Sequence, residues 1–176
     1  LKNPKTSAQY LIETNEIVNL PSASTLAVLR RASPKTPTKE LAIFADPVFD
    51  ATDERWRQTA KQEPVSTVRS RFARLVFSGQ EAENIALFAP AEKRFSAVGL
   101  EANLTNLRKQ DLSQFRILHF ATHSLLNARF NQLSGVVLSL IDEKGNPQDG
   151  VWRLNEIYNQ RLNARLVVLS ACETAL

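Results

Sequence analysis

The sequence predicts an α/β fold, a mostly parallel β-sheet with helices on both faces, and three observations predict it. Leu41-Ala42-Ile43-Phe44-Ala45, Arg116-Ile117-Leu118-His119-Phe120-Ala121 and Leu166-Val167-Val168-Leu169-Ser170 are short, nearly continuous apolar runs, as expected of strands covered on both faces. The segments between them carry helical periodicity, so strand and helix alternate. The chain has 176 residues, 43% of them apolar, enough to bury one core without disulfide or metal staples.

Each element has its own signal. Tyr10-Leu11-Ile12-Glu13 and Ile17-Val18-Asn19-Leu20 predict two short strands. Past Pro21, Leu26, Val28 and Leu29 predict a helix, with Ser22 or Ser24 as its N-cap. Pro34 and Pro37 among Ser, Thr and Lys make 31–39 a loop, and the strand 41–45 stops at Asp46-Pro47. Residues 50–70 are polar, contain Pro64 and hold no sustained period, so they read as a flexible linker within the domain. After Gly79, acids in the first turn and apolar residues at 82, 85, 86 and 88 predict a surface helix over 80–88, stopped by Pro90. A short strand over 95–98, a helix over 101–109 and the strand 116–121 follow. Next come a strand over 135–140 with 142–146 as its turn, a brief helix over 154–158 and a last buried strand over 166–170. Trp152 and Tyr158, at helical spacing, are expected to pack against the sheet. There is no internal repeat.

Composition narrows the function. One Cys excludes an intrachain disulfide framework and any Cys-rich zinc module and fits a reducing compartment, the cytoplasm. No apolar run approaches the roughly 18 residues of a membrane span, and Leu1-Lys2-Asn3-Pro4 opens no signal peptide. The net charge of +4 comes from residues 1–75, with 12 Lys or Arg against 8 Asp or Glu; the remainder balances. Arg69, Arg71 and Arg74 lack interleaved aromatics that could stack bases, so they read as a solvated basic face and direct nucleic-acid binding is not expected. Glycines stand only at 79, 99, 135, 145 and 150, which excludes a phosphate loop, a dinucleotide fingerprint and a Gly-x-Ser-x-Gly elbow. With no Met at the start or anywhere else, the chain reads as a piece of a longer one.

In parallel sheets, chemistry collects where strands end at their carboxyl side. Asp46, His123 and Cys172 follow the strands 41–45, 116–121 and 166–170. If the last two strands are neighbours, an imidazole and the only thiol share one sheet edge. A thiol of ordinary pKa, about 8.5, is mostly protonated at neutrality and needs a base to attack, and histidine titrates close enough to supply one. His119 lies inside its strand and reads as a histidine of the core or one that supports the site from behind. Its i, i+4 relation to His123 lacks the Glu of a zincin helix, so no metal is expected.

The blocks Arg116-Ile117-Leu118-His119-Phe120-Ala121-Thr122-His123 and Leu166-Val167-Val168-Leu169-Ser170-Ala171-Cys172-Glu173-Thr174 resemble the two active-site blocks of the CHAT domain family. These are caspase-like peptidases often attached to tetratricopeptide repeats. The 49-residue separation of His123 and Cys172 matches the roughly 50 of caspases. Tyr10 to Ala32, Ala45-Asp46-Pro47-Val48-Phe49, Gln80 to Phe88 and Trp152 to Asn163 also look like CHAT segments in the same order. The resemblance implies a caspase–hemoglobinase-like fold and a cysteine endopeptidase. His123 would be the general acid/base and Cys172 the nucleophile, with backbone amides at Ser124 and Cys172 as oxyanion donors and no cofactor. Its substrate would be a polypeptide, and a tetratricopeptide-type domain would regulate it.

Two departures stand out. Ser124 replaces the glycine usual after this histidine, and serine adopts a positive φ less cheaply. Only four residues follow Cys172, so residues 1–176 read as the N-terminal, large-subunit-like half of one CHAT domain. The C-terminal remainder is then expected to pair with the last strand, from the same or a separate chain. Asp46 is read two ways, as an acid holding a basic P1 side chain or as a turn-former before Pro47. A catalytically weak or inactive CHAT scaffold or interaction module is the alternative function.

Overall fold

In the computed structural model the predicted runs 41–45, 116–121 and 166–170 fall on neighbouring parallel strands, the last of them ending at Leu169. The structure describes residues 10, 22, 24, 36–59, 70–127, 129–170 and 173–174. The two strands and the helix expected between residues 10 and 32 fall outside the described residues, apart from Tyr10, Ser22 and Ser24. Thr36–Leu176 form one compact unit and Leu1–Lys35 another.

Within the larger unit the order is β1 (Lys39–Ala45), α1 (Glu54–Thr59), α2 (Ser78–Ala86), β2 (Arg94–Val98), α3 (Leu104–Lys109), β3 (Phe115–Ala121) and β4 (His123–Leu125). It continues with β5 (Gly135–Val137), β6 (Val151–Arg153), α4 (Leu154–Tyr158), β7 (Leu166–Leu169) and β8 (Glu173–Thr174). The main sheet runs β2-β1-β3-β7, parallel throughout, with Ile43 opposite both Ser96 and His119, and Phe120 opposite Leu169. Alternate residues of these strands feed two cores. One face stacks Phe44 on Phe120 at 5.4 Å, with Phe95 tilted against Phe44 at 5.5 Å, over Leu104 and Leu107 of α3. The other buries Leu41, Ile43, Ala45 and Ala121 under Ala82 of α2. Helices on both faces of a parallel sheet are the predicted α/β architecture.

The differences have local causes. The strand expected over 135–140 is the three-residue β5, antiparallel to β4 and β6 in a second sheet ordered β6-β5-β4-β8. It stops because Ser139 is drawn aside, its hydroxyl accepting from the Val48 amide and donating to the Gly99 carbonyl. The helix expected over 101–109 begins only at Leu104, where the Asn103 side chain accepts from the Asn106 amide and caps it. The turn 142–146 forms as read: Asp142 Oδ1 accepts from the Lys144 and Asn146 amides, and Gly145 sits at φ 79°. Within the segment read as a linker, Glu54–Thr59 are helical and Trp56 is buried, while 60–69 lie outside the described residues. Trp152 packs on Phe120 at 5.5 Å as expected, but Tyr158 is exposed, because one residue belongs to β6 and the other ends α4.

The apolar run of β7 reads as a buried strand that is left uncovered where nothing pairs with it, and Leu166, Val167 and Leu169 are 51%, 45% and 58% exposed. β7 closes one side of the sheet order, with β3 its partner and no described strand beyond it.

Candidate functional site

His123 stands where the chain leaves one sheet for the other. β3 ends at Ala121, Thr122 is fully buried with its hydroxyl donating to the Val137 carbonyl, and His123 opens β4. The imidazole is 5% exposed and lies between the rings of Phe49, at 5.3 Å, and Phe72, at 5.5 Å. Its Nε2 is 2.6 Å from the carbonyl oxygen of Ala73. A carbonyl can only accept, so Nε2 carries the hydrogen. In the neutral ring the lone pair is therefore on Nδ1, which is buried and has no hydrogen-bond partner. A histidine fixed in this tautomer presents one bare nitrogen to whatever reaches it.

Asp46 occupies the end of the neighbouring strand, with its amide donating to the Ala121 carbonyl at 3.1 Å. It is the one described non-glycine residue with a positive φ, 48°, a conformation that Asp tolerates better than most. Its carboxylate is 4% exposed and already taken. Arg74 Nε donates to Oδ1 at 3.0 Å and Nη2 to Oδ2 at 2.8 Å, while Arg55 Nη1 lies 2.7 Å from Oδ2. Two guanidinia of the chain itself, Arg74 and Arg55, thus engage both of its oxygens. Of the arginines read as a solvated basic face, Arg74 stays 41% exposed although it is paired. Arg74 is an ion-pair partner, its pKa raised further by hydrogen bonding to Asp46; Arg71 is exposed, and Arg69 lies outside the described residues.

A cavity of about 450 Å³ opens beside this cluster, lined by Phe49, Asp50, Asp53, Phe72, Ala73 and Arg74 among others. Burial pushes the Asp50 carboxyl up, but hydrogen bonds from the Thr52 hydroxyl and from the Ser70 and Thr52 amides outweigh it and leave the pKa below 3.8. Asp53 is likewise pushed up by burial and brought below 3.8 by hydrogen bonds from Arg55 and the charges of Arg55 and Arg74. Carboxyls depressed on folding stabilise the fold fully above their unfolded pKa, and that stabilisation is lost as pH falls through the lower folded values. The thermal midpoint is therefore expected to fall between about pH 5 and pH 2. Asp53→Asn should remove part of that fall, as differential scanning calorimetry would show.

On the β7 side, the Ser170 amide donates to the Phe120 carbonyl at 2.9 Å, and its hydroxyl donates to Glu81 Oε2 at 3.1 Å. His119 is a core histidine, as read, with Nε2 3.0 Å from Glu81 Oε1. One carboxylate of α2 thus reaches His119 of β3 and Ser170, the residue after β7. Cys172 lies outside the described residues. Flanking it in sequence are Ser170, bonded to β3, and Glu173, whose backbone is in register with Ser124 of β4. Ser124 does not have a positive φ, so the absent glycine imposes no left-handed strain there.

Ala73 and Arg74 were not legible as site residues. A backbone carbonyl has no sequence signature, and Arg74 meets Asp46 across 28 positions.

The family model for the CHAT domain matches residues 1–176, and the chain belongs to this caspase-like family. The comparisons with curated proteins and with solved structures give no match. Among the described residues no helix is long and apolar enough to cross a membrane.

Proposed function

We propose that the chain is the His- and Cys-bearing part of a caspase-like cysteine endopeptidase acting on polypeptides. The observation that supports it most is the state of His123, with Nε2–H held on the Ala73 carbonyl and Nδ1 buried and bare. Nδ1 takes the proton of Cys172 Sγ as the sulfur attacks the peptide carbonyl. The amides of Ser124 and Cys172 receive the developing oxyanion. Collapse breaks the C–N bond, the proton on Nδ1 passes to the leaving amine, and water hydrolyses the thioester with His123 again as base. Glu173, an acid beside the thiol, disfavours a standing thiolate, so deprotonation accompanies attack. The activity is regulated by a fused or bound partner, a tetratricopeptide-type domain, and the protein works in the cytoplasm. A strand from the remainder of the domain, on this or a separate chain, covers β7. The scaffold reading rests on Ser124, and the absence of a positive φ at that position weakens it.

The test uses the full-length protein with its effector and partner chain. Wild type and Cys172→Ala are incubated with a proteome-derived peptide mixture, and new N-termini are identified by mass spectrometry. Cleavages that require the thiol are expected, and their sequences reveal P1. Identical termini from both proteins would establish the scaffold instead.

A further inference from the structure

We infer that Asp46 and Arg74 are positioning residues that hold the Ala73 carbonyl on His123 Nε2, and so set which ring nitrogen is left free. The inference rests on His123 acting as the proton carrier. Ser70–Leu75 has neither helix nor strand to fix it. What fixes the carbonyl is the next residue along, because Arg74 is gripped by both oxygens of the Asp46 carboxylate. A two-pronged guanidinium–carboxylate pair constrains orientation as well as distance. The grip is anchored to the sheet, since the Asp46 amide bonds the Ala121 carbonyl two residues before His123. Asp46 therefore joins the end of the strand that leads to His123 to the segment that supplies its acceptor.

Three further features suit this arrangement. Asp46 holds φ 48°, a left-handed conformation that costs energy even for Asp, which tolerates it better than most residues. Gly79, at the start of α2, is where a side chain would collide, because a Cβ there would stand 2.9 Å from Asp46 Oδ2. Arg55 also contacts the carboxylate, at 2.7 Å, and bonds the Asp46 carbonyl through the same nitrogen. Loss of Arg74 would thus leave the buried charge still paired, which lets a variant at this position fold.

The test reads the His123 ring directly in full-length protein carrying 15N-labelled histidine. In the wild type the Nε2–H, held on a carbonyl and shielded from water, is expected as a slowly exchanging ring N–H signal, assigned by its loss in His123→Gln. In Arg74→Ala its exchange with solvent should accelerate at least about tenfold, while the amide of Ile43, in the sheet core, exchanges as before. Arg74→Lys, which keeps the charge but loses the fork, should fall between. Asp46→Asn, which tolerates the same backbone, should match Arg74→Ala, and the double variant should exchange no faster than either single one. Unchanged ring exchange in Arg74→Ala would overturn the inference, and so would parallel acceleration of the Ile43 amide. Because the readout needs no turnover, the expected pattern in a protein without Cys172-dependent cleavage would uphold the positioning and count only against the peptidase.

Discussion

Replacing His123 by alanine is expected to lower the rate of Cys172-dependent peptide cleavage by roughly 10²- to 10⁴-fold, the usual contribution of a positioned general acid/base. The effect is this large because nothing described near His123 replaces it. Phe49 and Phe72 flank the ring and carry no titratable group, and the Ala73 carbonyl only accepts. The alanine variant also leaves a gap between two aromatic rings, so lost shape must be separated from lost proton transfer. His123→Gln does so, since its amide can still donate to the Ala73 carbonyl but offers no base that titrates near neutrality. Both variants should lose kcat to a similar degree, measured on a peptide taken from the thiol-dependent cleavages. Wild-type kcat in His123→Gln would remove this residue from the chemistry.

Much of the fold was legible in the residues. The continuous apolar strings of β1 and β3 could be satisfied only by burial on both faces, and α2 showed its stripe at Ala82 and Ile85 with Glu81 in its first turn. The apolar string of β7 looked the same, yet its residues are exposed, because hydrophobicity states what a strand would bury and not whether a neighbour is there. That β5 belongs to a second sheet was not legible for a related reason. Strand period carries no pairing partner, and Ser139, which ends β5 by bonding Val48 and Gly99, acts across long sequence separations. In the candidate site, residue type and strand-end position singled out Asp46 and His123. The surroundings of each were out of reach. The role of Asp46 depends on Arg74 and Arg55, which meet it from a loop and from α1, and the tautomer of His123 depends on a backbone oxygen.

Phe44→Ala is expected to destabilise the protein by about 3 to 5 kcal/mol, the range for emptying a buried aromatic site. Phe44 has no exposed surface, lies in an interior strand of the parallel sheet and touches Phe95 and Phe120, which itself packs on Trp152. Removing it costs the transfer of a full ring and leaves a cavity between β-strands that ladder hydrogen bonds prevent from closing. Asp46 begins two residues later, so the same change should loosen the Arg74 grip. Val167→Ala gives the contrast. Val167 is also an apolar strand residue, but it is 45% exposed and should cost only about 0.5 kcal/mol or less. Urea unfolding of both variants in the isolated chain and in the full-length protein measures the pair. If Val167→Ala stays near neutral in the isolated chain but becomes strongly destabilising in the full-length protein, β7 is covered there by a partner strand. If it stays near neutral in both, the apolar surface of β7 remains open to solvent.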